Sequence, residues 1–207
     1  MIKVGIFASG NGSNAQTIID YCATHATYKV MALVCDQKDA FVIERARMAG
    51  IPVLICTLDD FDGASKVERQ LKHEQNIIEQ LEPYEIDLIC LAGYMRLLSS
   101  TFLQEYSRVI NIHPSLLPKY PGLLAFKKAY ESNDSHAGVT IHWVDEGMDT
   151  GEVIIQDSFA REDNDTFLNF EKKGRVLEQK LYPKALEIIL PRFLKNLNGK
   201  SYESIAY

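Results

Sequence analysis

Asn111 and His113 stand two residues apart in the run RVINIHP, residues 108–114. In an extended strand, residues two apart point to the same face. An amide that can donate to a developing oxyanion and an imidazole that can move a proton near neutral pH are thus aimed at one spot. Pro114, Pro118 and Pro121 limit the freedom of the loop that follows. Two further polar residues stand where apolar runs break: His142 in VTIHWV and Asp149 in DEGMDTGE. Asp149 is placed to orient or charge the imidazole, and an imidazole beside a carboxylate keeps its proton to higher pH. The set suits chemistry at a carbonyl carbon. Each member also has a structural reading: a turn former for Asn111 and Asp149, a hydrogen-bonded strand residue for each histidine. No glycine-flanked serine makes a nucleophile elbow. Ser115 lies near His113, but Pro114 intervenes and no oxyanion turn accompanies it. The two histidines are distant in sequence, with no HExxH or cysteine cluster, so no metal is expected.

A second candidate site is the glycine loop ASGNGSNAQ, residues 8–16. Gly10 and Gly12 allow a tight turn after a strand, and Ser13 or Asn14 is expected to cap the next helix. Free amides at such a helix start hold a phosphate, although the same residues also make an ordinary strand-to-helix turn. Ala15 stands where a dinucleotide fingerprint needs its third glycine, and no lysine completes a Walker loop. One phosphate on a substrate fits better than a dinucleotide. Asp36, ending the second strand, comes slightly late for a ribose-binding acid.

Short apolar runs alternate with helical patterns. Strands are expected over 3–9, 30–35, 52–56, 87–92, 108–113, 139–144 and 153–157, with helices over 14–25, 41–49, 65–81, 99–106, 124–132 and 165–196. Pro183 should kink or split the last helix. The alternation predicts an α/β, doubly wound, mostly parallel sheet. The last two strands lack a helix between them and read as an antiparallel hairpin. The 207 residues are read as one domain. A net charge of −6 without a long basic run argues against nucleic acid. Four cysteines form no CxxC pair and suggest a reducing cytoplasm. No apolar stretch is long enough for a membrane span, and the start does not read as a signal peptide.

GIFASGNGSNAQTIID, LICLAGYMRLLS, INIHPSLLPKYPGL, GVTIHWVDEGMDTGEVI and LEQKLYPKAL follow one another along the chain. In these segments, spanning about residues 2–190, it resembles the folate-dependent formyltransferases, specifically the phosphoribosylglycinamide formyltransferases of purine synthesis. HPSLLP is shared with other formyl-folate enzymes; SGNGSN with MDTG and EQKLYP is more specific. The resemblance implies a Rossmann-like fold and formyl transfer from 10-formyltetrahydrofolate, as co-substrate, to the amine of phosphoribosylglycinamide. It implies Asn111, His113 and Asp149 as catalytic residues, with Asn111 and protonated His113 meeting the oxyanion of a tetrahedral intermediate. It implies Gly12, Ser13 and Asn14 as the phosphate loop, and Arg175, Val176, Leu177 and Glu178 as contacts to the ribosyl glycinamide. Met95, Arg96, Leu97 and Leu98 match the wall of the folate pocket, which Asn111 and Asp149 complete. Asp145, Glu146, Gly147 and Met148 match the loop around the pterin, and His142 takes a supporting role. Two departures stand out: Leu124, Ala125 and Phe126 replace histidines present in some members, and Arg69 is the candidate for an arginine that touches folate from the third helix. The expected partners are the two small-molecule substrates, with the chain a monomer or homodimer. The alternative is formyltetrahydrofolate hydrolysis by the same three residues; a methionyl-tRNA formyltransferase would need a further, basic domain.

Overall fold

Val4, Ile6 and Ala8 of β1 (Ile2–Ala8) enter one apolar cluster, while Phe7 enters another. The same alternation separates Leu88 and Cys90 from Ile89 and Leu91 in β4 (Leu88–Leu91). Both faces of these strands are covered, which is why they read as unbroken apolar runs. The computed structural model describes residues 1–132 and 134–197. The other strands are β2 (Tyr28–Cys35), β3 (Val53–Ile55), β5 (Val109–His113), β6 (His136–Trp143) and β7 (Val153–Ala160). They form one seven-stranded sheet in the order β3-β2-β1-β4-β5-β6-β7. β1 to β5 run parallel, β6 runs antiparallel to β5, and β7 antiparallel to β6.

Helices α1 (Ser13–Thr24), α2 (Val42–Met48) and α6 (Phe167–Leu197) supply the first cluster, through Ile18, Val42, Leu181 and Ile189 among others. Helices α3 (Lys66–Leu81) and α4 (Ser100–Glu105) supply the second, through Ile77, Leu81 and Phe102. Helix α5 (Ala125–Glu131) packs Phe126 and Ala129 beside Phe170 of α6. The chain leaves β1 for β2 and β3 on one side, then returns to β4 on the other. At that reversal β1 leads to α1 on one face of the sheet and β4 to α4 on the other, the arrangement that opens a crevice at the carboxyl ends of the strands.

Of the kink or split expected at Pro183, the split does not occur; both Pro183 and Pro191 lie inside an unbroken α6. A proline removes one helical hydrogen bond. Here Leu181, Tyr182, Ala185, Leu186 and Ile189, all fully buried, hold the turns on either side of Pro183, and the Tyr182 hydroxyl donates to the Leu91 carbonyl at 3.1 Å. Packing, rather than helix propensity, carries such an element.

Gly138 of β6 faces a crowded place: a Cβ there would lie 2.3 Å from the Asp157 carbonyl oxygen and 2.6 Å from Leu116 Cδ2. Gly138→Ala is expected to destabilise the fold by about 1–3 kcal/mol, the usual cost of overpacking. Urea unfolding measures this; an unchanged midpoint would show that β6 and β7 separate freely.

Candidate active site

On β5, Asn111 and His113 lie on the same face as Val109, towards the α3–α4 side of the sheet. The strand ends there, so the row of side chains opens into a cleft instead of another apolar layer. Opposite, β6 pairs His142 with Asn111 and Thr140 with His113. The 114–121 loop is braced from that strand. The buried Thr140 hydroxyl donates to the Ser115 carbonyl at 2.7 Å and accepts from the Leu117 amide at 3.1 Å, and Gln156 donates to the Leu117 carbonyl at 2.8 Å. The buried Ser115 hydroxyl donates to the Lys119 carbonyl, so it serves as a strut of the loop.

Four polar side chains meet at the cleft floor. Asp149 Oδ2 accepts from the Gly122 amide at 2.7 Å and lies 3.2 Å from His113 Nδ1. Asp149 Oδ1 lies 3.4 Å from Asn111 Nδ2 and 3.5 Å from His142 Nε2. Asn111 Nδ2 is 3.3 Å from His142 Nε2, whose other ring nitrogen lies 2.7 Å from the Trp143 carbonyl oxygen. His113 Nε2 stands 2.8 Å from the Tyr120 carbonyl oxygen, which can only accept. Both His113 nitrogens are thus engaged within the protein, whereas the contacts of Asn111 are long and easily exchanged for a ligand's oxygen.

The electrostatics differ from the expectation of a high-pKa imidazole. Burial pulls His113 below the ordinary imidazole value; the Tyr120 carbonyl and Asp149 carboxylate pull upward without overcoming it. Burial also opposes ionisation of Asp149, but His142, the Gly122 amide and the His113 charge together hold its carboxyl at about 2. At neutral pH the cluster therefore pairs an ionised carboxylate with a neutral imidazole. An arriving proton leaves both ring N–H groups facing acceptors already in place.

The backbone around this floor is unusual. Tyr120, Leu124 and Asp149 have φ values of 55°, 62° and 56°, and Gly122 has 74°. Non-glycine residues in the left-handed region cost of order 1–3 kcal/mol each and gather at functional sites.

The cleft has a volume of about 370 Å³. It is lined by every residue expected at the folate pocket: Met95, Arg96, Leu97, Leu98, Asn111, Asp145, Glu146, Gly147, Met148 and Asp149. Leu123 and Leu124 also line it and are 71% and 70% exposed; such apolar exposure marks a binding groove. The 93–98 wall is tied down at several points. Met95 donates its amide to Ser9 Oγ at 3.0 Å, and Gln70 of α3 donates to the Leu97 carbonyl at 3.1 Å. Arg96 Nε donates to Asp36 Oδ2 at 2.6 Å. Asp36 is thereby committed to an ion pair rather than free as a ribose acid, since a buried carboxylate needs a charged partner. Arg69 does not line the cleft; α3 reaches this wall through Gln70 instead.

Across the crevice, Gly12 sits in the left-handed region at φ 77° as the residue before α1, with no side chain capping the helix. The expected cap by Ser13 or Asn14 is absent because both residues already lie inside the first turn. Their amides and that of Ala15 are left without intrahelical acceptors. Asn14 is buried, and its Oδ1 has no protein partner among the described residues. Glu178 of α6 is buried beside it. Burial raises its carboxyl to about 7, opposed by the Asn14 side chain and the Arg175 charge. Of the neighbouring candidates, Arg175 pairs with Glu171, Val176 is 44% exposed, and Leu177 packs against the main core. All four cysteines are buried free thiols; burial pushes Cys22 to about 12 and Cys56 to about 11, well away from nucleophilic duty. Among the described residues, no group of three or more His, Cys, Asp or Glu is arranged to hold a metal ion. No described helix is long and apolar enough to cross a membrane.

Over residues 2–186 the chain matches the family described as Formyl transferase. It is 44% identical over 192 residues to the phosphoribosylglycinamide formyltransferase of Bacillus subtilis (strain 168), covering 92% of this chain and 95% of that one. With the enzyme of the same name from Escherichia coli (strain K12), identity is 38% over 184 residues, covering 88% and 84%. Among solved structures, glycinamide ribonucleotide transformylase 1 from Geobacillus kaustophilus superposes with a TM-score of 0.84 at 40% identity, covering 92% of this chain and 99% of that one.

Proposed function

We propose one reaction for this chain, which belongs to the formyl transferase family: transfer of the formyl group of 10-formyltetrahydrofolate to the amine of phosphoribosylglycinamide. The similarity to enzymes named for that acceptor supports the reading. The observation that carries it is the contact network of Asn111, His113 and Asp149 at the floor of a cleft walled by Met95–Leu98 and residues 145–149. Residues 1–207 are taken as one formyltransferase domain, in keeping with the family match over 2–186.

In this mechanism the folate lies along Met95–Leu98 and 145–148, with its formyl carbon near Asn111. The substrate's phosphate rests on the amides after Gly12, and its ribosyl glycinamide lies beside Glu178. The amine attacks the formyl carbon, and the new C–N bond produces a tetrahedral centre bearing an oxyanion. Asn111 Nδ2 turns from its long contacts to that oxygen. The proton released by the amine passes to the His113–Asp149 pair, and the imidazolium so formed adds a positive charge beside the oxyanion. Collapse breaks the bond from carbon to folate N10, which takes the proton. No enzyme nucleophile takes part.

The test is an assay with 10-formyltetrahydrofolate in the presence and absence of phosphoribosylglycinamide. Formyl transfer only with the amine supports the proposal. Release of formate without it would establish the hydrolase instead. Ser13→Asp offers a sharper check of the phosphate subsite. A carboxylate in the first turn stabilises the helix by about 0.3–1 kcal/mol but competes with a phosphate for the same amides. KM for the ribonucleotide is expected to rise while Tm holds or increases. A falling Tm with unchanged KM would remove the phosphate from this loop.

A further inference from the structure

We propose that Arg45 of α2 is a positioning residue that turns the amides of the glycine loop towards the substrate's phosphate; the inference rests on the phosphate subsite proposed above. Arg45 Nε donates to the Asn11 carbonyl at 2.8 Å, and Nη2 donates to Asn11 Oδ1 at 2.9 Å. One turn earlier on the same helix, the Val42 amide donates to the Gly10 carbonyl at 3.1 Å. Two successive carbonyls of the loop are therefore drawn towards α2.

In a trans peptide the carbonyl and the N–H of one unit point in opposite directions. Holding the Gly10 carbonyl to α2 sends the Asn11 N–H away from it. Holding the Asn11 carbonyl to Arg45 sends the Gly12 N–H the same way. Neither amide donates to a protein group among the described residues. With Gly12 in the left-handed region and the open amides of α1 following, consecutive N–H groups form a concave anion nest. Arg45 is itself held in place. Its guanidinium lies 4.9 Å from the centre of the Phe41 ring, and Nη1 reaches Gln16 Oε1 at 3.5 Å. The planar fork can grip the Asn11 carbonyl and side chain at once, which a lysine cannot do.

Arg45→Gln and Arg45→Lys separate positioning from simple charge. Losing charge-assisted hydrogen bonds that fix the nest should raise KM for phosphoribosylglycinamide by roughly ten- to a hundredfold. The inhibition constant of ribose 5-phosphate, measured against the same substrate, should rise in parallel. Both variants are expected to behave alike, with KM for the formyl-folate within about twofold of the parent, as a loss confined to one substrate's binding requires. A lysine variant with parental affinity would reduce Arg45 to a distant charge and overturn the inference. Equal loss for both substrates would do the same, by showing general damage. Should the glutamine variant fail to fold, the lysine variant carries the test. If ribose 5-phosphate fails to inhibit the unmodified protein, the phosphate subsite itself is wrong; if it does inhibit and both variants match the parent, only the role of Arg45 falls.

Discussion

Asn in place of Asp149 is expected to lower kcat/KM by about 10²–10⁴, the usual contribution of a positioned acid–base pair. The replacement keeps the side chain's size and can still accept from the Gly122 amide, but the charge 3.2 Å from His113 Nδ1 is gone. The pH dependence gives the loss a sign. His113 already titrates below its ordinary value because it is buried, and Asp149 is among the groups that pull it upward. Without that carboxylate the imidazole should lose its proton at still lower pH. The acid limb of the kcat/KM profile, which reports the free enzyme's essential base, should move downward in pH. Stability follows the same rule. The depressed carboxyl of Asp149 stabilises the fold above its unfolded value of about 4, and that contribution is lost as pH falls through about 2. His113, also depressed, favours the folded state above its ordinary imidazole value and opposes it as pH falls below that value. The variant should therefore be less stable than the parent at neutral pH, and the difference should shrink in acid. A variant within tenfold of the parent, with the acid limb unmoved, would uncouple the pair and end this part of the mechanism.

Asn111→Ala is the second large effect. Removal of a single oxyanion donor typically costs about 10²–10³ in kcat. Because Asn111 is only one of many cleft-lining residues, affinity for the folate should change little. The split between kcat and KM is the measurement. A donor used only in the transition state lowers kcat, whereas a wall residue raises KM. Activity within threefold of the parent would leave the oxyanion without its proposed donor.

Much of this molecule is legible without coordinates. The alternation of apolar runs and helical patterns is enough for a parallel α/β sheet, because strands covered on both faces cannot spare polar positions. Asn111 and His113 stand out for that reason: they interrupt a strand whose other residues, Val109, Ile110 and Ile112, are all apolar. The glycine loop is a candidate phosphate site on its own residues, whereas Met95–Leu98 stand out only through motif resemblance, since one arginine among apolar loop residues carries no signal of its own. His142 carries no clear signal of its own, because a buried strand histidine has many structural uses; its pairing opposite Asn111 follows from β5–β6 register, which no local pattern encodes. Arg69 does not line the cleft, whereas the neighbouring Gln70 donates to the Leu97 carbonyl of this wall, a difference that helix periodicity alone does not reveal.

By itself the sequence determined the α/β class with its mostly parallel sheet and the polar pair at the end of β5. These follow from periodicities of two and 3.6 residues, which are local. Tertiary structure alone decided the protonation balance and the continuity of α6. His113 sits below its ordinary pKa because burial, a property of the whole fold, outweighs the adjacent carboxylate. α6 runs through Pro183 because buried turns on both sides compensate for one missing hydrogen bond. The backbone partners of the site, the Tyr120 carbonyl and Gly122 amide, carry no residue-type signal at all. They reach His113 and Asp149 only because the 114–121 loop is fastened to Thr140 and Gln156 across the sheet.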